Sequence, residues 1–358
     1  MKDKKILKGI LGCVIGLAVL VCVGVYVFPL LKGVKETTTP GAGVQMEVVK
    51  PESVPSVGTA TEKEDTEESA WKNEKLNIEI PVGLDGRNIK ISNDHLNRKL
   101  TVRFDKGVAD YSQKYHVFGS SKHISTVSYY MEGEAGVLEI KLDQVCEFSY
   151  TYRENFLCIK LMDPHEIYDK VIVVDAGHGG RAAGAVRDDV CEKDLNLAIV
   201  KEIKELLDGM KGVKVYYTRL DDTNPTLSQR VELANNAKAD LFISIHHNTA
   251  SSGGFKESTD RHGTLVLCRQ SDTSEYSGPR LAEICLRNIN ETAGSNRRGL
   301  GNGDNLHIIK NSKVPAVLIE VGYMTNREEF AKLQTAEYQK LVAQGVYNAV
   351  IEAFEEGF

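Results

Sequence analysis

The chain has 358 residues, room for two ordinary domains with accessory segments, and carries 44 basic against 50 acidic side chains for a net charge of −6. That balance excludes a nucleic-acid binder, because no long basic stripe is present to meet a phosphate backbone. At 42% hydrophobic and 26% charged, the composition is that of a globular protein.

Residues 9–31 form an uncharged stretch preceded by Lys2, Lys4, Lys5 and Lys8. At about 1.5 Å per residue a helix there spans roughly 34 Å, close to the hydrocarbon thickness of a bilayer. Lysines ahead of such a span stay cytoplasmic, so residues 1–32 read as a cytoplasmic tail and single transmembrane anchor, with the remainder extracellular or periplasmic. A cleaved signal peptide is the competing reading, and it lacks a clear small-x-small cleavage site. Residues 33–75, with scattered prolines and the acidic run around Glu62 to Glu68, read as a disordered tether.

Residues 76–165 switch to a period of two. Leu76, Ile78, Ile80 and Val82 alternate with polar or small residues, as do Leu100, Val102 and Phe104. Leu138, Ile140 and Leu142 follow, then Leu157, Ile159 and Leu161. Half-buried strands of a small antiparallel sandwich are predicted. Five of the seven cysteines lie beyond the apolar span. They are a poor disulfide framework, although Cys146 and Cys158 flank a predicted hairpin and are placed to pair.

Residues 169–358 alternate strand and helix. Val171 to Val174 is a buried strand, and Leu195, Ile199, Ile203 and Leu207 line one face of a helix opening just after Glu192. Further strands fall at Val215 to Tyr217, Leu241 to Ile243, Leu265 to Leu267 and Ala316 to Ile319, with a closing helix through Tyr338, Leu341, Val342, Val346 and Phe354. The fold class predicted is α/β: a mixed, mainly parallel sheet with helices on both faces. Ahead of it come the small all-β domain and the transmembrane helix.

Chemistry-bearing residues cluster at the predicted strand ends, where open α/β sheets place their reactive groups. Asp175-Ala176-Gly177-His178-Gly179-Gly180 ends one strand, Glu192 follows a short loop, Ser244-Ile245-His246-His247-Asn248 ends a second, and Glu320 ends a third. His178, Glu192 and His246 supply two imidazoles and a carboxylate, the three protein ligands of a hydrolytic Zn²⁺ site with one position left for water. His246 and His247 point to opposite faces and cannot both serve; Cys191, beside Glu192, points away. Asn248 shares the face of His246, and its amide is placed to orient a ligand or substrate. Glu320 is the candidate for proton transfer. Its alternative is a structural ion pair with Arg219, Arg230 or Arg298. Arg230 and Arg298 are equally candidates to hold a substrate carboxylate.

From Val171 onward the chain resembles the zinc-dependent N-acetylmuramoyl-L-alanine amidases of the third amidase family. The resemblance rests on Val174 to Gly180, Glu192 to Leu197, Thr218-Arg219, Leu227-Ser228-Gln229-Arg230, Ala234 to Asp240, Ser244 to Asn248, Arg298-Gly299-Leu300 and Pro315 to Asn326. It implies His178, Glu192 and His246 as ligands of one Zn²⁺, Glu320 as the catalytic carboxylate, and peptidoglycan as substrate, cut between N-acetylmuramic acid and L-alanine. Tyr323, His247 and Lys310 depart from the family pattern without touching these four positions. Some members insert a helix that plugs the metal site. Here residues 250–306 hold little beyond one strand and a helix at residues 277–289, so an open site is expected. The β-rich segment resembles wall-targeting modules found ahead of some such amidases, which implies a wall ligand or an activator as its partner. A bare spacer is the alternative. Two other functions stay open: a zinc peptidase cutting within the stem peptide, and a wall-binding protein with a decayed site.

Overall fold

The computed structural model describes residues 44–46, 74–250, 256–275 and 277–358. The predicted membrane span lies outside them. Among the described residues no helix is long and apolar enough to cross a membrane.

The N-terminal part of the described chain is built of strands. The strands are β1 (Val44–Met46), then β2 (Leu76–Glu79), β3 (Ile89–Asp94), β4 (Lys99–Phe104), β5 (Val117–Gly119), β6 (Ile124–Glu132), β7 (Ala135–Leu142), β8 (Glu147–Arg153) and β9 (Phe156–Met162), with one turn of helix, α1 (Tyr111–Lys114), between β4 and β5. They form two antiparallel sheets, ordered β1-β6-β7-β4-β3 and β5-β2-β9-β8. The alternating residues meet between them: Leu76, Ile78, Leu100, Val102, Phe104, Leu138, Ile140, Leu157 and Ile159 all belong to one buried cluster. β1 corrects the tether reading, since residues 44–46 pair with Tyr129, Ser128 and Val127 of β6. An unpaired strand edge captures any extended segment able to satisfy its amides. Cys146 and Cys158 are both buried free thiols, so the pairing considered for them is not formed.

The second part contains β10 (Lys170–Ala176), the hairpin β11 (Val186–Arg187) and β12 (Val190–Cys191), α2 (Glu192–Leu207), β13 (Val213–Tyr217), α3 (Leu227–Asn236) and β14 (Leu241–Asn248). These are followed by β15 (Thr264–Cys268), α4 (Gly278–Ala293), β16 (Arg297–Asn302), α5 (His307–Asn311), β17 (Ala316–Tyr323), α6 (Arg327–Leu333) and α7 (Ala336–Glu356). The sheet runs β13-β10-β14-β17-β15-β16, parallel through the first four strands, with β15 reversed against β17 and β16 parallel to β15. Buried on both faces, its central strands β10, β14 and β17 read as nearly continuous apolar runs. Ile172 and Val174 face a core built with α2, α4 and α7. Val171 and Val173 face the other side, where α3 and α5 leave part of the sheet bare.

The β-rich part fills that gap, which refines the expectation of helices alone on both faces. Val145, fully buried just ahead of β8, packs in the same cluster as Val171, Val173 and Tyr216, and Leu96 packs against it. Val145 N–H donates to the carbonyl of Asn236. Glu147 lies 2.7 Å from the Tyr216 hydroxyl and 2.9 Å from Lys214 Nζ. Lys238 pairs with Asp163, and Arg98 with Glu232.

Candidate metal centre

Three side chains from three separate elements converge at the carboxyl ends of β10 and β14. β10 hands over to a turn in which His178 adopts φ 60°, the left-handed region that a residue other than glycine enters at a cost. α2 begins at Glu192, and this acidic residue in its first turn complements the positive end of the helix dipole. His246 lies near the end of β14, opposite Glu320 of β17 in the register. The ligand atoms of His178, Glu192 and His246 all lie within 4.8 Å of one another. Glu192 Oε1 stands 3.2 Å from His178 Nε2 and 3.0 Å from His246 Nδ1. Burial works against the ionised Glu192, but the two imidazoles outweigh it and hold its carboxyl well below the ordinary range.

The backbone is shaped to permit this approach. A Cβ at Gly177 would overlap the His246 ring, and one at Gly184 would sit 2.5 Å from Glu192 Oε2 and 2.8 Å from His178 Cδ2. Glu192 Oε2 accepts the Ala185 N–H at 2.9 Å, and Oε1 accepts that of His247 at 3.1 Å. The His247 ring turns the other way, with Nδ1 2.8 Å from Asn196 Oδ1, and burial pulls it down to about 4. The neutral, inward imidazole is the opposite-face arrangement expected of adjacent strand residues.

Glu320 is half-buried beside the cluster, and its Oε2, itself shielded from solvent, has no hydrogen-bond partner. Burial raises its carboxyl to about 7, with His246 opposing and Glu192 adding to the shift. Among the described residues no arginine pairs with it, which removes the structural alternative. A donor set of two imidazoles and a carboxylate, with an unpartnered buried oxygen alongside, fits a zinc ion with three protein ligands.

The predicted substrate contacts fare differently. Arg230 is buried, and its guanidinium is committed internally. It donates to Asp175 at 2.5 Å, to the carbonyls of Ala176 and His178 at 2.6 and 2.7 Å, and to that of Pro225 at 3.0 Å. It braces the His178 turn and is not free to bind a substrate carboxylate, which corrects the expectation. Asn248 follows His246 in the alternation of β14, both half-buried with the buried His247 between them, the extra residue of the register shift lying in β17, and its Oδ1 accepts the Thr249 N–H at 2.7 Å. Arg298 is exposed on the edge strand β16, separated from β17 by β15, and the structure does not bring it into the cluster.

Sequence reasoning missed the brace beneath the turn. Asp175 accepts from Arg230, from Ser244 Oγ at 2.5 Å and from Thr218 Oγ1 at 2.6 Å. Arg219 donates to the carbonyls of Ala176, Gly177 and Lys193, each at 2.8 Å. An aspartate and two arginines near apolar strands were the available signal, since charges inside a core must pair. Among the described residues of 249–263 no helix forms; residues 251–255 lie outside the described ones.

A layered α/β sheet that gathers a His–Glu–His cluster able to hold a cation beside a carboxylate with an unpartnered oxygen is the arrangement of a hydrolytic enzyme. The sequence profile of the N-acetylmuramoyl-L-alanine amidase family matches residues 172–352. The protein YqiI of Bacillus subtilis, itself uncharacterized, is 33% identical over 56% of this chain and 91% of its own length. The N-acetylmuramoyl-L-alanine amidase LytC of the same organism is 31% identical over 52% of this chain, which spans only 36% of that protein. Among solved structures, the catalytic domain of CwlV, an amidase from Bacillus (Paenibacillus) polymyxa var. colistinus, is 35% identical over 52% of this chain and 98% of that one, with a TM-score of 0.46. The chain belongs to the N-acetylmuramoyl-L-alanine amidase family. Its catalytic region is a peptidoglycan hydrolase, cleaving the amide between N-acetylmuramic acid and the L-alanine of the stem peptide.

Proposed function

We propose that the whole protein is a zinc-dependent amidase working on the cell wall from a membrane anchor, with His178, Glu192 and His246 as the zinc ligands and Glu320 as the proton carrier. The observation that carries the reading is the convergence of three ligand atoms beside the unpartnered Oε2 of Glu320. Zinc held there supplies Lewis acidity toward the scissile carbonyl and toward water. Glu320 takes a proton from the attacking water as its oxygen adds to the lactyl carbonyl carbon. The same carboxyl returns that proton to the L-alanine nitrogen as the C–N bond breaks. Glu192 and the Arg230 brace hold the two imidazoles in place, so little rearrangement accompanies turnover. The uncharged residues 9–31 behind four lysines support a single-pass anchor with the catalytic region outside. The β-rich part, docked on the catalytic sheet, is assigned a wall ligand or an activator.

The test is digestion of purified peptidoglycan by zinc-loaded protein, followed by mass spectrometry, with Glu320→Gln as control. Free stem peptides beginning at L-alanine, lost in the control, are expected. Cuts inside the stem peptide would establish a peptidase instead, and absence of zinc binding would leave a wall-binding module.

A further inference from the structure

Immediately before Glu192 the chain folds into the β11–β12 hairpin, and its buried arginine points away from the catalytic cluster. Arg187 Nη1 donates to the Met324 carbonyl at 2.9 Å, just past β17, and Nη2 to Glu257 Oε1 at 3.0 Å. Its guanidinium carbon lies 4.8 Å from the ring centroid of Phe330. Met324 N–H in turn donates to the carbonyl of Asn248 at 2.8 Å. The arginine therefore ties the hairpin to the ends of β17 and β14, the two strands that carry Glu320 and His246.

The hairpin side of this tie bears on Glu192. Arg187 pairs with Val190, and Val186 with Cys191, so the hairpin is paired up to the residue before Glu192. Ala185, two residues before Arg187, exchanges two hydrogen bonds with Glu192: its N–H reaches Oε2, and its carbonyl accepts the Glu192 N–H at 2.8 Å. Gly184 packs on both the Glu192 carboxylate and the His178 ring. Loss of the anchor at Arg187 would free the segment that aims the carboxylate.

We propose that Arg187 is the positioning residue for Glu192, holding the hairpin against β17 so that the carboxylate meets the two imidazoles. The inference rests on the zinc reading above and adds a residue that makes no contact with the metal. A lysine reaches one acceptor where the guanidinium fork reaches two and stacks on Phe330, so it restores the tie only in part. Glu257 belongs to the segment before β15, and its link to Arg187 is not what aims Glu192.

The experiment measures the zinc dissociation constant of the full chain by competition with a chromophoric chelator. The proteins compared are the wild type, Arg187→Ala, Arg187→Lys and Glu257→Gln, with the metal-free melting temperature of each. Supporting residues around a metal site typically change affinity about 10–100-fold. We expect about tenfold weaker zinc binding in Arg187→Ala, a smaller loss in Arg187→Lys, and a change within about twofold in Glu257→Gln. If wild type binds zinc and both arginine variants bind it equally well, whatever their melting temperatures, the positioning role is overturned and the zinc reading stands. A loss in Glu257→Gln equal to that in Arg187→Ala would overturn it too, by assigning the effect to the neighbouring loop. No zinc binding by wild type would overturn the zinc reading and this inference together. Should Arg187→Ala fail to fold, the lysine and glutamine variants decide the outcome.

Discussion

The guanidinium of Arg230 lies 2.5 Å from the carboxylate of Asp175, and neither side chain is more than 3% exposed. Burial pushes the Asp175 carboxyl up, but Arg230, Ser244 and Thr218 overcome it and keep the group ionised below its ordinary range. Removing one partner strands the other charge in the core, at a cost of about 3–5 kcal/mol. Arg230→Ala is therefore expected to lose that much stability in urea denaturation. A normal unfolding midpoint with a raised KM would instead restore the substrate-binding role that the structure removes.

Glu320→Gln keeps the shape of the site but cannot accept a proton. General acid–base groups contribute about 10²–10⁴-fold, so kcat should fall by that factor while zinc content stays at one per chain. A variant that retains more than a tenth of wild-type turnover would move the proton-transfer role elsewhere.

Glu147 sets an acid limit on the contact between the β-rich part and the catalytic sheet. Burial alone would raise its carboxyl, but His95, Tyr216 and Lys214 hold it down at about 2, from an ordinary 4.5. A depressed carboxyl contributes stability above its unfolded value, and that contribution is lost as pH falls through the folded one. The window is therefore roughly pH 4.5 to 2, with about 2–3 kcal/mol at stake. The stability–pH curve of Glu147→Gln should be flatter than wild type across that window; parallel curves would refute the assignment.

Val145 makes the catalytic region dependent on the part before it. Since its side chain completes a core with Val171, Val173 and Tyr216, residues 169–358 expressed alone should melt lower than residues 74–358 or aggregate. In the longer protein Val145→Ala should cost about 1–3 kcal/mol. Equal melting temperatures for the two lengths would show that the contact carries no stability.

What could be seen in the sequence followed from periodicity and from motif order. The strand at Val171, the helix opening at Glu192 and the alternating runs through Leu161 each had one dominant pattern, and the structure has elements there. His178 and His246 stood at predicted strand ends and Glu192 just past a short loop, and the structure brings the three together. Arg230 misled because a guanidinium near an active site serves equally as substrate clamp or buried brace, and only burial separates the two. The strand at residues 44–46 was invisible, since so short a segment has no periodicity of its own and is extended by the edge it joins.

Gly177 carries no functional group, yet the His246 ring occupies the volume that its missing methyl would need. Glycine and alanine codons differ by one base, so a single-nucleotide change can displace His246 without altering any residue of the His–Glu–His cluster. Inactivating alleles should then arise at a position invisible to any search for lost histidines or carboxylates. For this chain, a gene copy with His178, Glu192, His246 and Glu320 all intact is not by itself an active one.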